Sequence, residues 1–383
     1  LIQGAEPMLR SLFDFPAHSY HRRHTMKIVV YAICKNEAQF VSRWIKSMSE
    51  ADQIVVLDTG STDDTVERLR TLGAQVTVET ICPWRFDVAR NRSLELVDPD
   101  ADICVCTDLD EVFHPGWRKA LESAWIPGTT QATYRYTWSF RPDGGEGVVF
   151  WYEKIHARHG YRWVHPVHEV LEWMGPGQPG LKVSAEGVQL DHHPDPKKSR
   201  AQYLPLLELE VAEAPQDDRS VHYLGREYLF HSRWDDCIRI LTQHLTMPSA
   251  TWADERAASM RFIAQSYEHK GQPEEALRWY LRAAAEAPHL REPLVELALL
   301  LYTQEEWDGV LYFTQKALAI VERPRTYICE ARAWGALPYD LRCQAYYHTG
   351  RPQLALEAAR AALALEPQDE RLQGNVKLLE CLC

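Results

Sequence analysis

Absent from these 383 residues are the usual glycine signatures of nucleotide binding. No GxGxxG follows the first apolar run, and no phosphate-cradling loop ends in GK[ST]. The common dinucleotide fold and the P-loop enzymes are therefore excluded. Long hydrophobic runs are missing too: the longest clean one, Ile28 to Cys34, falls far short of the roughly 18 residues a spanning helix needs. Basic charge is in deficit, with 42 Lys and Arg against 54 Asp and Glu and a formal charge of −12. That balance disfavours a general nucleic-acid binder, which shows a net basic footprint, while leaving room for a local basic groove. The nine cysteines are odd in number, scattered and without paired CxxC clusters. With no signal-peptide pattern in view, the expectation is reduced thiols in a cytoplasmic protein. Residues 1–25, which carry the basic patch His21-Arg22-Arg23-His24 and precede Met26, are set apart as an N-terminal extension.

What is present is ordinary globular material, 45% apolar and 25% charged, in a chain long enough for two domains or more. Ile28 to Cys34 reads as a buried strand. Phe40, Val41, Trp44, Ile45 and Met48 then recur at helical spacing, and Gln53 to Leu57 is a second buried strand. Strand, helix, strand implies a right-handed parallel crossover. Ser61 with Asp64 suggests a capping box for a helix running to Leu72 and closed by Gly73. A third strand at 75–79, a helix from about Phe86 to Val97 and a fourth strand at 103–107 complete the series.

That fourth strand ends in Asp108-Leu109-Asp110-Glu111, three carboxylates within four positions. In extended geometry side chains at i and i+2 share a face, so Asp108 and Asp110 can offer oxygens to one hard cation, Mg²⁺ or Mn²⁺, whose shell water and a diphosphate would complete. A bare Asp-x-Asp is more often a solvated turn; here its company matters. Lys35-Asn36-Glu37 follows strand one, Asp58-Thr59-Gly60-Ser61 follows strand two, and Trp84 to Asp87 with Arg90-Asn91 follows strand three. Open α/β sheets bind ligands outside the carboxyl ends of their strands, where all four loops converge.

The series Ile33-Cys34-Lys35-Asn36-Glu37, Val56 to Thr65, Ala89-Arg90-Asn91, Asp108 to Glu111 and Val167-His168-Glu169 resembles family-two glycosyltransferases of the GT-A fold. Within that family it looks like the bacterial group that includes lipopolysaccharide-core sugar transferases and peptide S-glycosyltransferases of glycocins. The resemblance covers roughly residues 26–200 and implies a Rossmann-like domain with a mixed, mainly parallel sheet. It also implies site roles. Asp58 would bond the nucleobase, Glu37 and Asp87 would line the nucleoside pocket, Arg90 would meet the diphosphate of a UDP-sugar donor, and Asp108 and Asp110 would hold Mn²⁺ or Mg²⁺. Enzymes of this fold often complete the metal shell with a histidine, which makes His192 or His193 a candidate. For an inverting transfer a base must take the acceptor proton, and Glu169 is the first choice, with His168 orienting it or meeting the phosphates. The alternating stretches from Thr133 and around Phe150 to Ile155 are expected as antiparallel strands walling the acceptor side.

From residue 201 the chain turns helical and repetitive. Gly225, Ala264, Ala298 and Cys343 occupy equivalent positions of four tetratricopeptide-like segments, 39, 34 and 45 residues apart. One spacing equals the 34-residue period and the last requires an insertion around Arg323 to Pro338. The 201–383 region is thus expected to be an all-α solenoid that binds a peptide or glycan acceptor or a second copy of the chain, not one that carries chemistry. Two other functions compete with a metal-dependent glycosyltransferase: a scaffold whose sugar-nucleotide domain is vestigial, and a transferase acting on a modified nucleic-acid base.

Overall fold

The computed structural model describes residues 26–141, 144–196 and 201–383; the 1–25 extension lies outside them. In chain order the first part runs β1 (Ile28–Cys34), α1 (Ala38–Met48), β2 (Gln53–Asp58), α2 (Thr65–Thr71), β3 (Gln75–Val78), α3 (Phe86–Glu95), β4 (Ile103–Cys106), β5 (Glu111–Phe113) and α4 (Trp117–Ala124). Then come β6 (Thr129–Thr137), β7 (Val149–Ala157), β8 (Tyr161–Val164), β9 (Val170–Trp173) and β10 (Leu181–His192). Eight strands form one sheet in the order β3-β2-β1-β4-β7-β6-β10-β5. β1 to β4 are parallel, β7 returns antiparallel beside β4, and β8 with β9 stands apart as a hairpin.

Both faces of the central strands are covered, which is why β1 is apolar at every position. Ile28, Val30 and Ala32 join Trp44, Ile45 and Met48 of α1 in one core, while Val29 and Tyr31 meet Leu94, Val97 and Trp163 on the opposite face. The capping box expected at α2 does not form. The helix starts at Thr65 because Ser61 bonds Asp58, Asp63 accepts from the Thr65 backbone at 3.1 Å, and Asp64 pairs with Arg68 at 2.6 Å. The fourth strand also ends a residue early, at Cys106, so Asp108 and Asp110 sit in the link after it, while Glu111 opens β5.

The helical part comprises α5 (Tyr203–Glu213), α6 (Asp218–Phe230), α7 (Trp234–Thr246), α8 (Ala253–His269), α9 (Pro273–Glu286), α10 (Glu292–Thr303) and α11 (Trp307–Ala319). It ends with α12 (Ala331–Trp334), α13 (Leu337–His348), α14 (Pro352–Leu365) and α15 (Glu370–Glu380). Gly225, Ala264, Ala298 and Cys343 fall on the first helices of four hairpins, α6/α7, α8/α9, α10/α11 and α13/α14. A side chain at Gly225 would collide with Leu241, a Cβ there lying 2.1 Å from its Cδ2, so glycine sets the closeness of the first pair. The solenoid is seated directly on the sheet domain. Val167, Trp84 and Phe86 share one apolar cluster with Leu207, Val221, Tyr223 and Leu224.

Candidate active site

The strand order reverses between β1 and β4, and the crevice outside their carboxyl ends is the switch point at which such sheets hold ligands. At its centre is a buried charge network. The Arg90 guanidinium on α3 reaches Asp108 at 2.7 Å and Glu169 at 2.8 Å, and Lys154 on β7 reaches Asp108 at 3.0 Å and Glu111 at 3.1 Å. Glu111 further accepts from the Asp108 backbone N–H and from the Tyr136 hydroxyl, both at 2.8 Å. Burial would push the Asp108 carboxyl up, but Arg90 and Lys154 reverse this and hold it well below the usual carboxylate range. Burial also raises Glu111, and the Asp108 and Asp110 charges add to that rise. Desolvation works against both cations, which the facing carboxylates nonetheless keep charged.

The two aspartates do not converge. Asp108 faces Arg90 and Lys154, whereas Asp110 Oδ2 stands 3.4 Å from His192 Nε2. The turn separates them, because extended alternation no longer holds beyond Cys106. The His192 ring is fixed by donating its Nδ1–H to the Trp138 carbonyl at 2.9 Å, leaving Nε2 as the nitrogen aimed at Asp110. An imidazole so oriented beside a carboxylate suits a divalent cation, so Asp110 and His192 fit the implied metal and Asp108 as placed does not. The His193 ring stacks on Phe140 at 5.2 Å, and its backbone N–H donates to the Asp110 carbonyl.

Several expected roles shift with the geometry. Asp58 is fully buried, and its carboxylate takes the N–H groups of Gly60 and Ser61, the Ser61 hydroxyl and the Cys34 thiol. Those four donors fill the lone-pair sites of a carboxylate, so Asp58 shapes the β2 loop and is not presented to a nucleobase. Glu37 is buried where β1 meets α1, its backbone N–H bonded to Thr65 Oγ1. Asp87 forms a two-pronged pair with Arg85, which also holds Glu213 of α5 at 2.8 Å. Arg90 faces carboxylates, as just described. His168 and Glu169 part company: Glu169 joins Arg90, while the His168 ring stacks on Tyr223 at 4.3 Å and meets Arg226 at 3.3 Å. His168 thus belongs to the joint with the solenoid. Lys154 was not anticipated. Its signal is a lysine in phase with Phe150 and Tyr152 on an alternating strand, where an apolar side chain is the norm.

A mixed sheet with acids, buried cations and a histidine gathered outside the carboxyl ends of its parallel strands is an α/β domain with a charged crevice at its switch point. Residues 29–159 match the family model described as glycosyl transferase family 2. The chain carries a family-two glycosyltransferase domain followed by a tetratricopeptide-like helical region. It is 46% identical over 59 residues to an uncharacterized glycosyltransferase of Rickettsia prowazekii (strain Madrid E), covering 15% of this chain and 19% of the relative. It is 44% identical over 74 residues to one of Rickettsia bellii (strain RML369-C), covering 19% and 24%. The match therefore spans about a fifth of those relatives' length. Among solved structures, MamA aligns at 15% identity with a TM-score of 0.36, covering 44% of this chain and 89% of that one. The tetratricopeptide protein YrrB aligns at 14% with a TM-score of 0.35, covering 46% and 82%.

Proposed function

We propose that this protein transfers a sugar from a nucleoside-diphosphate donor, a UDP-sugar, to a peptide, protein or glycan acceptor with inversion at the anomeric carbon. The observation that carries the reading is the charge network of Arg90 and Lys154 with Asp108, Glu111 and Glu169 at the β1/β4 switch point, followed two residues after Asp108 by the Asp110 and His192 pair. As the bond from the anomeric carbon to the diphosphate oxygen breaks, negative charge grows on the leaving group and calls for fixed positive charge beside it; Arg90 and Lys154, bonded to Asp108, Glu111 and Glu169, order the carboxylates around that place. Asp110 and His192 would hold Mn²⁺ or Mg²⁺, which supplies Lewis-acid neutralisation of the diphosphate. The acceptor oxygen, nitrogen or sulfur forms the new bond to the anomeric carbon and gives its proton to Glu169. Arg90 holds Glu169 and Asp108 on one guanidinium, so base and donor edge keep a fixed relation.

The reading is tested by thermal shift with UDP-, GDP- and dTDP-sugars in the presence of Mn²⁺. A true donor at a hundredfold excess over its Kd stabilises the fold by about 2.7 kcal/mol. One nucleotide raising the midpoint, and losing that effect in EDTA, supports donor and metal together. No shift with any of them overturns the transferase reading in favour of the scaffold.

A further inference from the structure

Away from the sheet edge, the first repeats bury a second group of chemistry-bearing side chains. His222 of α6, His244 of α7 and Glu255 of α8 are all buried, and one ligand-capable atom of each lies within 4.8 Å of the other two. A polar trio inside a helical stack needs an account of its partners. Ser259 Oγ lies between the two rings, 2.7 Å from His222 Nδ1 and 3.0 Å from His244 Nδ1. A hydroxyl oxygen has two acceptor lone pairs, so it can take an N–H from both rings, the tautomer that leaves Nε2 of each unprotonated. Burial drives His222 well below the usual imidazole range, which keeps it in the neutral form a metal requires.

His244 Nε2 is the sharper clue. It is fully buried, has no hydrogen-bond partner among the described residues and stands 3.4 Å from Glu255 Oε1. That separation is long for a hydrogen bond but matches the edge of a tetrahedron drawn with metal–ligand bonds of about 2.0–2.1 Å, roughly 3.3–3.4 Å. The other Glu255 oxygen accepts from the Tyr327 hydroxyl at 2.9 Å, which aims Oε1 at His244. Ser259 and Tyr327 thus stand where the orienting partners of metal-bound imidazoles and carboxylates stand. The comparable cluster of His165, Glu210 and Asp217 has no such gap, since His165 bonds Glu210 and Ser220 closes both acids.

We propose that His222, His244 and Glu255 form a binding site for a transition-metal dication of the zinc class, with two imidazole nitrogens, one carboxylate oxygen and a solvent molecule in the fourth place, tying the first two repeats together. The site is separate from the Asp110 and His192 pair, and the proposal stands whether or not the sheet edge transfers sugars.

The test uses the full-length chain stripped with EDTA, loaded with Zn²⁺ and gel-filtered, with retained metal measured by mass spectrometry. The same is done for Asp110→Asn, which disables the sheet-edge pair, and for His244→Gln. About one equivalent held by wild type and by Asp110→Asn, and lost in His244→Gln, is the expected result. No retained zinc in wild type, or equal retention by His244→Gln, overturns it. Should His244→Gln fail to fold, Co²⁺ loaded into Asp110→Asn decides. An intense visible band from four-coordinate Co²⁺ is expected, and the pale spectrum of six-coordinate Co²⁺ overturns the site.

Discussion

Asp108 and Asp110 stand two residues apart yet answer to different partners, so their removal should fail in different ways. Among the described residues Asp110 pairs with the His192 ring, and Asp110→Ala is expected to fold normally and to lose Mn²⁺-dependent donor turnover. Full turnover in that variant, or in EDTA, removes the metal assignment. Asp108→Ala strips the shared anion from two buried cations, Arg90 and Lys154. Breaking a fully buried pair costs roughly 3–5 kcal/mol; the Asp108 side chain is 32% exposed, which screens it, so on the order of 1–3 kcal/mol is expected in urea unfolding. Glu169→Gln keeps the shape of the Arg90 partner but not its basicity, and kcat should fall roughly 10²–10⁴-fold with donor affinity unchanged. A matching loss of donor binding would place Glu169 in the nucleotide site. His156 adds a pH effect. Burial lowers it to about 4, its ring bonded to Tyr31 at 2.8 Å. Below about pH 6.5 the unfolded chain protonates this histidine while the folded one resists, so stability is full above that pH and falls as pH drops toward 4. His156→Gln should flatten that limb of the melting-temperature profile; an unchanged slope would assign the acid sensitivity to other groups.

The repeats show why some elements are legible and others are not. In the second and fourth hairpins the residue just past the C-cap of the first helix is Gly271 or Gly350, at φ of 69° and 71°. Ser232 and Glu305 hold the same place in the first and third, at 57° and 60°. The left-handed turn is thus common to all four, but only two spell it with glycine, so in the other two the sequence carries no glycine signal for it. Both residues are exposed, so Ser232→Gly and Glu305→Gly remove little packing and should each stabilise by about 0.5–1 kcal/mol, while Gly271→Ala should destabilise by about 1 kcal/mol. Equilibrium denaturation of the three variants checks the signs. In the sheet domain, β1, β2 and β4 were readable because parallel strands covered on both faces are continuous apolar runs, while β3, a half-exposed edge strand, was readable from its place in the strand–helix series. β5, β8, β9 and β10 were not. β5 is three residues long, and β10 is interrupted by a register shift between Ser184 and Gln189, which destroys a clean alternation. The candidate site was legible as a list of polar loop residues at strand ends; which carboxylate meets which cation depended on Lys154, a strand residue outside every loop.

At the scale of the molecule, the sheet domain and the solenoid are joined through the loop that carries Glu169 and through the start of α3. Arg85 binds Glu213, His165 binds Glu210, and His168 lies on Tyr223, so residues 165–169, which end in Glu169, are clamped between β8 and α6. Beneath these polar ties, Leu207, Val221 and Leu224 bury an apolar face against Val167, Trp84 and Phe86. Neither half can leave the other without exposing that face, and a stable isolated sheet domain is not expected from truncation near residue 200. Polar ties over a shared apolar cluster make the two parts one cooperative unit, although domains joined by small interfaces commonly melt separately. Differential scanning calorimetry of the full chain should therefore give a single transition. Tyr223→Ala, which removes the platform under His168 and a large part of the shared cluster, should split it into two or broaden it, and should lower kcat more than it weakens donor binding because Glu169 loses its support. Two resolved transitions in the intact chain would show that the solenoid is a separately folding attachment, and acceptor-side geometry would then have to be set by the sheet domain alone.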